Sequence, residues 1–317
     1  MKENIGGYFE LESLINQQYH KNALKLNSAR NCLVYLAKSK RIKKLYIPYY
    51  LCDSIDVILD YCEVEYYNIN NRFLPELNKK LNNNEYIYIV NYFGQLCNAL
   101  IKKLKRIYKN IIIDNVQAFF QLPVKGVDTI YSCRKFVGVP DGAYLYTDLI
   151  SLEKLERDRS KDRFAYIFGR LEETPQQYYD MYKQNEKLLE TTPLLRMSKV
   201  TETLLGTFDY KKIKDRRTGN FKYLDKNLRK LNKLKLRSIK GAYVYPLYIE
   251  NAENLREKLI NNNVFVPVLW PNVINNNKNI NAYNFAKNIL PLPCDQRYGI
   301  EEMDKIIKIV KEKQEYE

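Results

Sequence analysis

An apolar run that ends in a carboxylate, and a lysine set in a glycine- and proline-containing loop, are the two places in this chain where residue type and spacing invite chemistry. The first is Ile111-Ile112-Ile113-Asp114-Asn115-Val116-Gln117-Ala118. A buried strand here would deliver Asp114 to the edge of a sheet, where a carboxylate either caps a turn or faces a ligand. The second is Thr129-Ile130-Tyr131-Ser132-Cys133-Arg134-Lys135-Phe136-Val137-Gly138-Val139-Pro140-Asp141-Gly142, in which a lysine lies between two strand-like runs. Glycine and proline fix an irregular backbone there, so Lys135 is either a solvated loop residue or an amine aimed at a site. The order of the two segments bears on the choice. Asp114 and Lys135 both follow strands of one sheet, and ligands of open α/β sheets collect beyond the carboxyl ends of the strands.

The elements that would position them alternate. Short β-branched or aromatic runs at residues 45–47, 63–67, 86–90, 111–113, 129–131 and 144–146 read as strands. Helical stretches at 29–37, 53–61, 75–81 and 99–108 fall between them, the first capped by Ser28. This is the pattern of a mainly parallel sheet in an α/β layer. Residues 151–240 read as helical and charged, broken at Pro175 and Pro193; the basic run 222–240 carries Leu224, Leu228, Leu231 and Leu234 and predicts an amphipathic helix. Beyond Gly241 a strand (242–249), a helix (252–261), a strand (264–269) and a closing helix (300–311) describe a smaller α+β piece. The Asn-rich stretches 82–84, 261–263 and 275–279 read as loops.

Composition narrows the function classes. With 45% hydrophobic and 28% charged residues the chain is an ordinary globular one. The opening residues 1–7 carry no apolar leader, and no stretch is long enough to span a bilayer, so a cytoplasmic location without membrane contact is expected. Six cysteines without any C-x-x-C pair and a single histidine, His20, give no metal site or disulfide framework, and free thiols are expected. The net charge of +15 is spread along the chain without a nucleic-acid-binding motif and reads as a solvated basic surface.

Taken together, the motifs resemble the nucleotide-sugar aminotransferases of the DegT/StrS type. Asp114-Asn115-Val116-Gln117 is similar to that family's Asp-x-x-Gln, and Lys135 followed six residues later by Asp141-Gly142 to its lysine, acid and glycine. Asn27-Ser28-Ala29-Arg30-Asn31-Cys32-Leu33 resembles the family's phosphate-binding turn, Ile47-Pro48-Tyr49-Tyr50 its strand-Pro-aromatic motif, and Asn91-Tyr92-Phe93-Gly94-Gln95 its Gly-Gln turn. Arg196-Met197-Ser198, Arg216-Arg217 and Leu290-Pro291-Leu292-Pro293 follow in the same order. There are departures. Pro140-Asp141-Gly142-Ala143 stands for Gly-Glu-Gly-Gly, Ala29-Arg30 for the common Gly-Thr, and Leu194 for an asparagine that reaches a neighbouring subunit's phosphate.

The resemblance implies an aspartate-aminotransferase-like fold: a large domain (residues 1–215) with a mainly parallel seven-stranded sheet, and a small C-terminal α+β domain (216–317). It implies pyridoxal 5'-phosphate as cofactor, with Lys135 holding its aldehyde and moving the proton, and Asp114 supporting its pyridine nitrogen. Gln117 would lie against the ring or its phenolic oxygen. The amides of Ala29 and Arg30 would take the phosphate, with the Arg30 guanidinium adding charge in place of the common Gly-Thr and Ser132 as a further donor, and Tyr50 would stack on the ring. The expected reaction moves an amino group from an amino-acid donor, glutamate, to a nucleotide-activated keto-sugar for amino-sugar or surface-polysaccharide synthesis, in a homodimer with a shared active site. A sugar dehydratase, in which the lysine is typically replaced, and a catalytically degenerate relative are the alternatives; a nucleic-acid-binding protein ranks last.

Overall fold

The computed structural model describes residues 17–149, 155–276 and 279–312, so the leader reading of residues 1–7 and part of the Asn-rich stretch at 275–279 lie outside the described residues. The chain begins with β1 (Leu24–Leu26), α1 (Ala29–Lys40) and β2 (Lys44–Pro48), then a 3-10 helix at Asp53–Asp60 where an α-helix was expected. There follow β3 (Glu63–Ile69), β4 (Pro75–Glu76), β5 (Glu85–Val90), α2 (Asn98–Tyr108), β6 (Ile111–Asp114), β7 (Asp128–Ser132) and β8 (Ala143–Tyr146). These strands form one sheet in the order β1-β8-β7-β6-β5-β2-β3-β4. The pairs β3-β2, β2-β5, β5-β6 and β6-β7 are parallel; the outer pairs are antiparallel. Parallel strands are covered on both faces, and so the Ile-Ile-Ile of β6 is buried throughout.

Eight strands are present where seven were expected. The additional pairing is at the edge, where residues 75–81 form no helix. Asn70 Oδ1 accepts the amides of Arg72 (2.9 Å) and Leu74 (3.1 Å), turning the chain sharply through Phe73 at φ +58° and folding β4 back on β3. A local side-chain turn outweighed helical propensity.

The second half contains α3 (Ala165–Glu172), α4 (Tyr179–Thr191), α5 (Lys199–Leu204) and α6 (Tyr210–Leu228). Then come β9 (Val244–Tyr248), α7 (Ala252–Asn261), α8 (Pro271–Asn276), α9 (Ile280–Asn288), β10 (Ile289–Pro293) and α10 (Ile300–Glu312). β9 and β10 pair antiparallel, and α6, α7 and α10 close a second hydrophobic core around Leu224, Leu247, Leu255, Leu292 and Ile306. The residue 215/216 division expected from sequence falls inside α6. Two expectations fail here. The helix predicted over 222–240 stops at Leu228, because Asn232 leaves the helical path: its Oδ1 accepts the amides of Leu234 and Tyr248, and its Nδ2 donates to Pro246 O (2.8 Å). Residues 264–269 form no strand. Val264 and Val266 still pack inward, but Pro267 lacks an amide for a ladder. All six cysteines are free thiols, with Cys32 and Cys133 buried beside the large sheet and Cys294 in the second core.

Candidate active site

Asp114 ends β6, and the strands beside it fix its backbone. Asn91 N donates to Asp114 O (2.9 Å) from the β5 side, and Asn115 N to Ile130 O (2.8 Å) on the β7 side. The carboxylate is buried and doubly bonded: Tyr88 Oη donates to Oδ2 (2.7 Å) and Val116 N to Oδ1 (2.8 Å). Burial raises its pKa, opposed first by the charge of Lys135 and then by these two hydrogen bonds. The following turn is equally committed. Gln117 Oε1 accepts the amide of Phe93 (2.8 Å), a residue in the left-handed region at φ +53°, and Asn91 Nδ2 donates to Asn115 Oδ1 (2.9 Å) and Gln121 Oε1 (3.0 Å).

Lys135 sits in a tight turn between β7 and β8, where Phe136 N and Val137 N both donate to Cys133 O (2.9 and 3.1 Å). Its side chain is half-buried, with the ammonium 5.7 Å from the centroid of the Tyr243 ring. Next to it, Arg134 pairs with Glu186 of α4 through both guanidinium nitrogens. Asp141 is committed to α5: fully buried, it accepts Ser198 N and Ser198 Oγ (3.0 Å each) and Thr201 Oγ1, anchoring the start of that helix. Gly142 adopts φ +109°, where a Cβ would come within 3.0 Å of Thr201 Cγ2, and its amide donates to Asn27 O (2.7 Å).

The start of α1 supplies a different kind of group. Ser28 caps the helix, Oγ accepting Asn31 N (3.1 Å), which leaves the amides of Ala29 and Arg30 without an acceptor among the described residues. The Arg30 guanidinium is already committed, donating to Ser54 O (2.8 Å) and Leu189 O (2.6 Å). One turn into the helix, the Cys32 thiol is pushed up by burial and, next, by the charge of Asp114, which lies within electrostatic range of it. Asn27 and Asn31 hold this turn against Thr192 O and Pro193 O, beside Leu194.

Asp114 thus lies within electrostatic range of Lys135 and of Cys32 in α1, and Gln117 stands in the turn that follows Asp114. Ser132, at the end of β7, is buried beside the lysine turn. Tyr50 stands apart: it is 0% exposed, enclosed by Tyr92 (ring centroids 5.3 Å, stacked), Trp270 (4.4 Å, edge-on) and Phe285, with its hydroxyl unpaired. Cavity volume does not select this group. A cleft of about 860 Å³ is lined by Arg157, Arg159, Lys161 and Lys199, and the small cavity beside Tyr49 and Cys52 contains neither Asp114 nor Lys135. The burial of Asp114 and the charge of Lys135 near it point to the group instead. Sequence reasoning missed Tyr88 and Tyr243, which nothing distinguishes among 28 tyrosines.

No family model matches the chain, and no curated protein matches it either. Solved structures do. The chain is similar to DesV of S. venezuelae, solved with a ketimine intermediate (TM-score 0.67, 13% identity, 92% of this chain and 84% of that one). It is also similar to the E coli GDP-4-keto-6-deoxy-D-mannose-3-dehydratase with bound hydrated PLP (TM-score 0.64, 14% identity, 91% and 87%). The sugar aminotransferase CalS13 from Micromonospora echinospora matches at TM-score 0.63, 11% identity, 92% and 87%. The fold is thus the aspartate-aminotransferase-like α/β fold expected from sequence. No helix among the described residues is long and apolar enough to cross a membrane.

Proposed function

We propose that this chain is a pyridoxal-phosphate-dependent aminotransferase that moves an amino group from an amino acid, glutamate, to a nucleotide-linked keto-sugar. The observation that carries the reading is the burial of Asp114 within the electrostatic reach of Lys135 and of Cys32 in the helix whose first amides are open. The residues fit the cofactor. A buried carboxylate whose oxygens each accept one neutral donor is suited to a cationic ring nitrogen, and two open helix-start amides to a phosphate.

When bound, the cofactor supplies an electron sink for charge developing on the substrate carbon. The chain's own residues would do the rest. Asp114, held by Tyr88 and Val116, keeps a proton on the ring nitrogen by opposing its charge. Lys135 Nζ would hold the aldehyde carbon and, as a free amine, would accept and return the proton of the reacting carbon. Ala29 N and Arg30 N would bind the phosphate, with Ser132 as a further donor. Gln117, its Oε1 fixed by Phe93, would lie against the ring or its phenolic oxygen. Tyr50 serves as backing for Tyr92. A homodimer with a shared site, a cytoplasmic setting and a role in surface-polysaccharide synthesis complete the reading.

The test begins with the purified protein and added pyridoxal phosphate. A visible absorbance band that borohydride fixes to the Lys135 peptide supports the reading; no adduct under any loading condition rejects it. Glutamate should then bleach the band. The dehydratase among the similar structures matches as well as the aminotransferases do, so fold does not separate the two reactions. Lys135 favours transamination, and a loaded protein whose spectrum no amine donor changes would favour dehydration.

A further inference from the structure

Arg217 is the most deeply buried cation the proposed chemistry leaves without a role. It lies on α6, 3% exposed, and meets no carboxylate at ion-pair distance among the described residues, since nearby Asp295 pairs with Arg297 (2.7 Å). A buried guanidinium without an ion-pair partner at contact distance carries a desolvation cost that other groups must offset. What the guanidinium supplies is a fork. Nη2 donates to Phe136 O (3.2 Å), Nε to Gln296 Oε1 (2.6 Å), and Nη1 to Ala242 O (2.9 Å) and Tyr243 O (3.3 Å). Gln296 Nε2 closes the triangle by donating to the same Phe136 O (2.8 Å). The guanidinium carbon lies 4.7 Å from the Phe136 ring centroid.

Two of these acceptors belong to residues beside Lys135. Phe136 is the next residue in its turn, and Tyr243 is the ring on which its ammonium rests. We infer that Arg217, through Gln296 and Phe136 O, is a positioning residue that fixes the Lys135 turn from the second core and sets the Tyr243 ring against the amine. The inference rests on the proposed function for its catalytic meaning, although the clamp itself acts on Lys135 with or without a cofactor. Docking of the second core therefore sets the direction of the Lys135 side chain.

The experiment uses the full chain, with Arg217→Met and Gln296→Glu; the latter keeps an acceptor for Arg217 but removes the second donor to Phe136 O. Limiting acetic anhydride followed by mass spectrometry reads the acetylation of Lys135 against Lys214 and Lys226 in the same molecules. Both variants should change the Lys135 ratio alone, by about tenfold for Arg217→Met, the equivalent of one lost charge-assisted hydrogen bond. The visible band of the pyridoxal-phosphate-loaded variants should shift or weaken, and borohydride-fixed label on Lys135 should fall in step. Folded variants, with parental circular dichroism and cooperative melting, whose Lys135 ratio moves by less than about twofold would overturn the inference. If Arg217→Met does not fold, Gln296→Glu decides alone. A parent protein that forms no cofactor adduct would sink the functional reading, while the acetylation ratios would still decide the clamp.

Discussion

The two ends of the candidate cofactor cradle are built on opposite plans. At the acid end, Asp114 has both carboxylate oxygens occupied, its carbonyl bonded to Asn91, and the turn behind it locked by Gln117, Asn115 and Gln121. At the helix end, the two amides of Ala29 and Arg30 are open, and the only guanidinium of the turn is turned toward Ser54 and Leu189. The acid end is thus set before any ligand arrives, at the expense of a desolvated charge. The helix end relies on backbone groups that need no side chain, which is how the turn accommodates Ala29-Arg30 in place of smaller residues.

Lys135→Ala should break both ends at once: it removes covalent capture of the cofactor and lowers turnover on the order of 10³-fold or more, measured by borohydride labelling and steady-state rates. The next largest effect concerns stability behind the acid end. His20 is buried, with Nε2 donating to Phe119 O (2.8 Å) and Nδ1 accepting from Tyr146 Oη (3.3 Å), and burial lowers its pKa to about 4. Since the unfolded imidazole takes up a proton at about 6.5 and the folded one resists it, this stabilisation is complete above pH 6.5 and is lost as pH falls toward 4, by up to about 3 kcal/mol. Urea midpoints at pH 7 and pH 5 should differ more in the parent than in His20→Gln. Asp114 acts in the other direction: its raised pKa favours the cofactor-free fold below the ordinary carboxylate range and withdraws that contribution as pH rises.

Asp114→Asn retains the packing and removes the charge. It should weaken cofactor retention and slow the proton step by about 10²-fold, with the melting temperature of the cofactor-free protein unchanged or raised. The helix end should respond least. Arg30→Met is expected to lower stability by about 2 kcal/mol through its two lost carbonyl contacts, and Ser28→Ala by about 1 kcal/mol through the lost cap. Neither should alter cofactor affinity as much as Asp114→Asn. An Arg30→Met protein of normal stability that no longer binds phosphate would reverse the assignment.

The sheet core was legible because buried parallel strands are written as unbroken β-branched or aromatic runs, and six such runs fall on strands. Asp114 and Lys135 were legible for the same reason, each standing at the end of one. Three-residue β1 and two-residue β4 were not, since no period fits in so short a stretch, and the turn that makes β4 depends on one Asn70 side chain. Strand β10 hides behind Pro291 and Pro293, which an edge position tolerates. The surroundings of Tyr50 were not legible, because an aromatic after a strand reads the same whether it faces a ligand or packs, as here, on Tyr92 and Trp270. The clamp of Arg217 and Gln296 joins residues far apart in the chain and leaves no local signal.

The buried thiols amount to built-in reporters of how the molecule comes apart. Cys32 and Cys133 are sealed beside the large sheet and Cys294 within the core around β9 and β10, and burial pushes all three thiols up and away from the reactive thiolate. A disulfide-exchange reagent reaches them only after the packing around each has opened. Labelling kinetics at Cys294 compared with Cys32 and Cys133 would therefore time the two cores separately, without adding a probe to either.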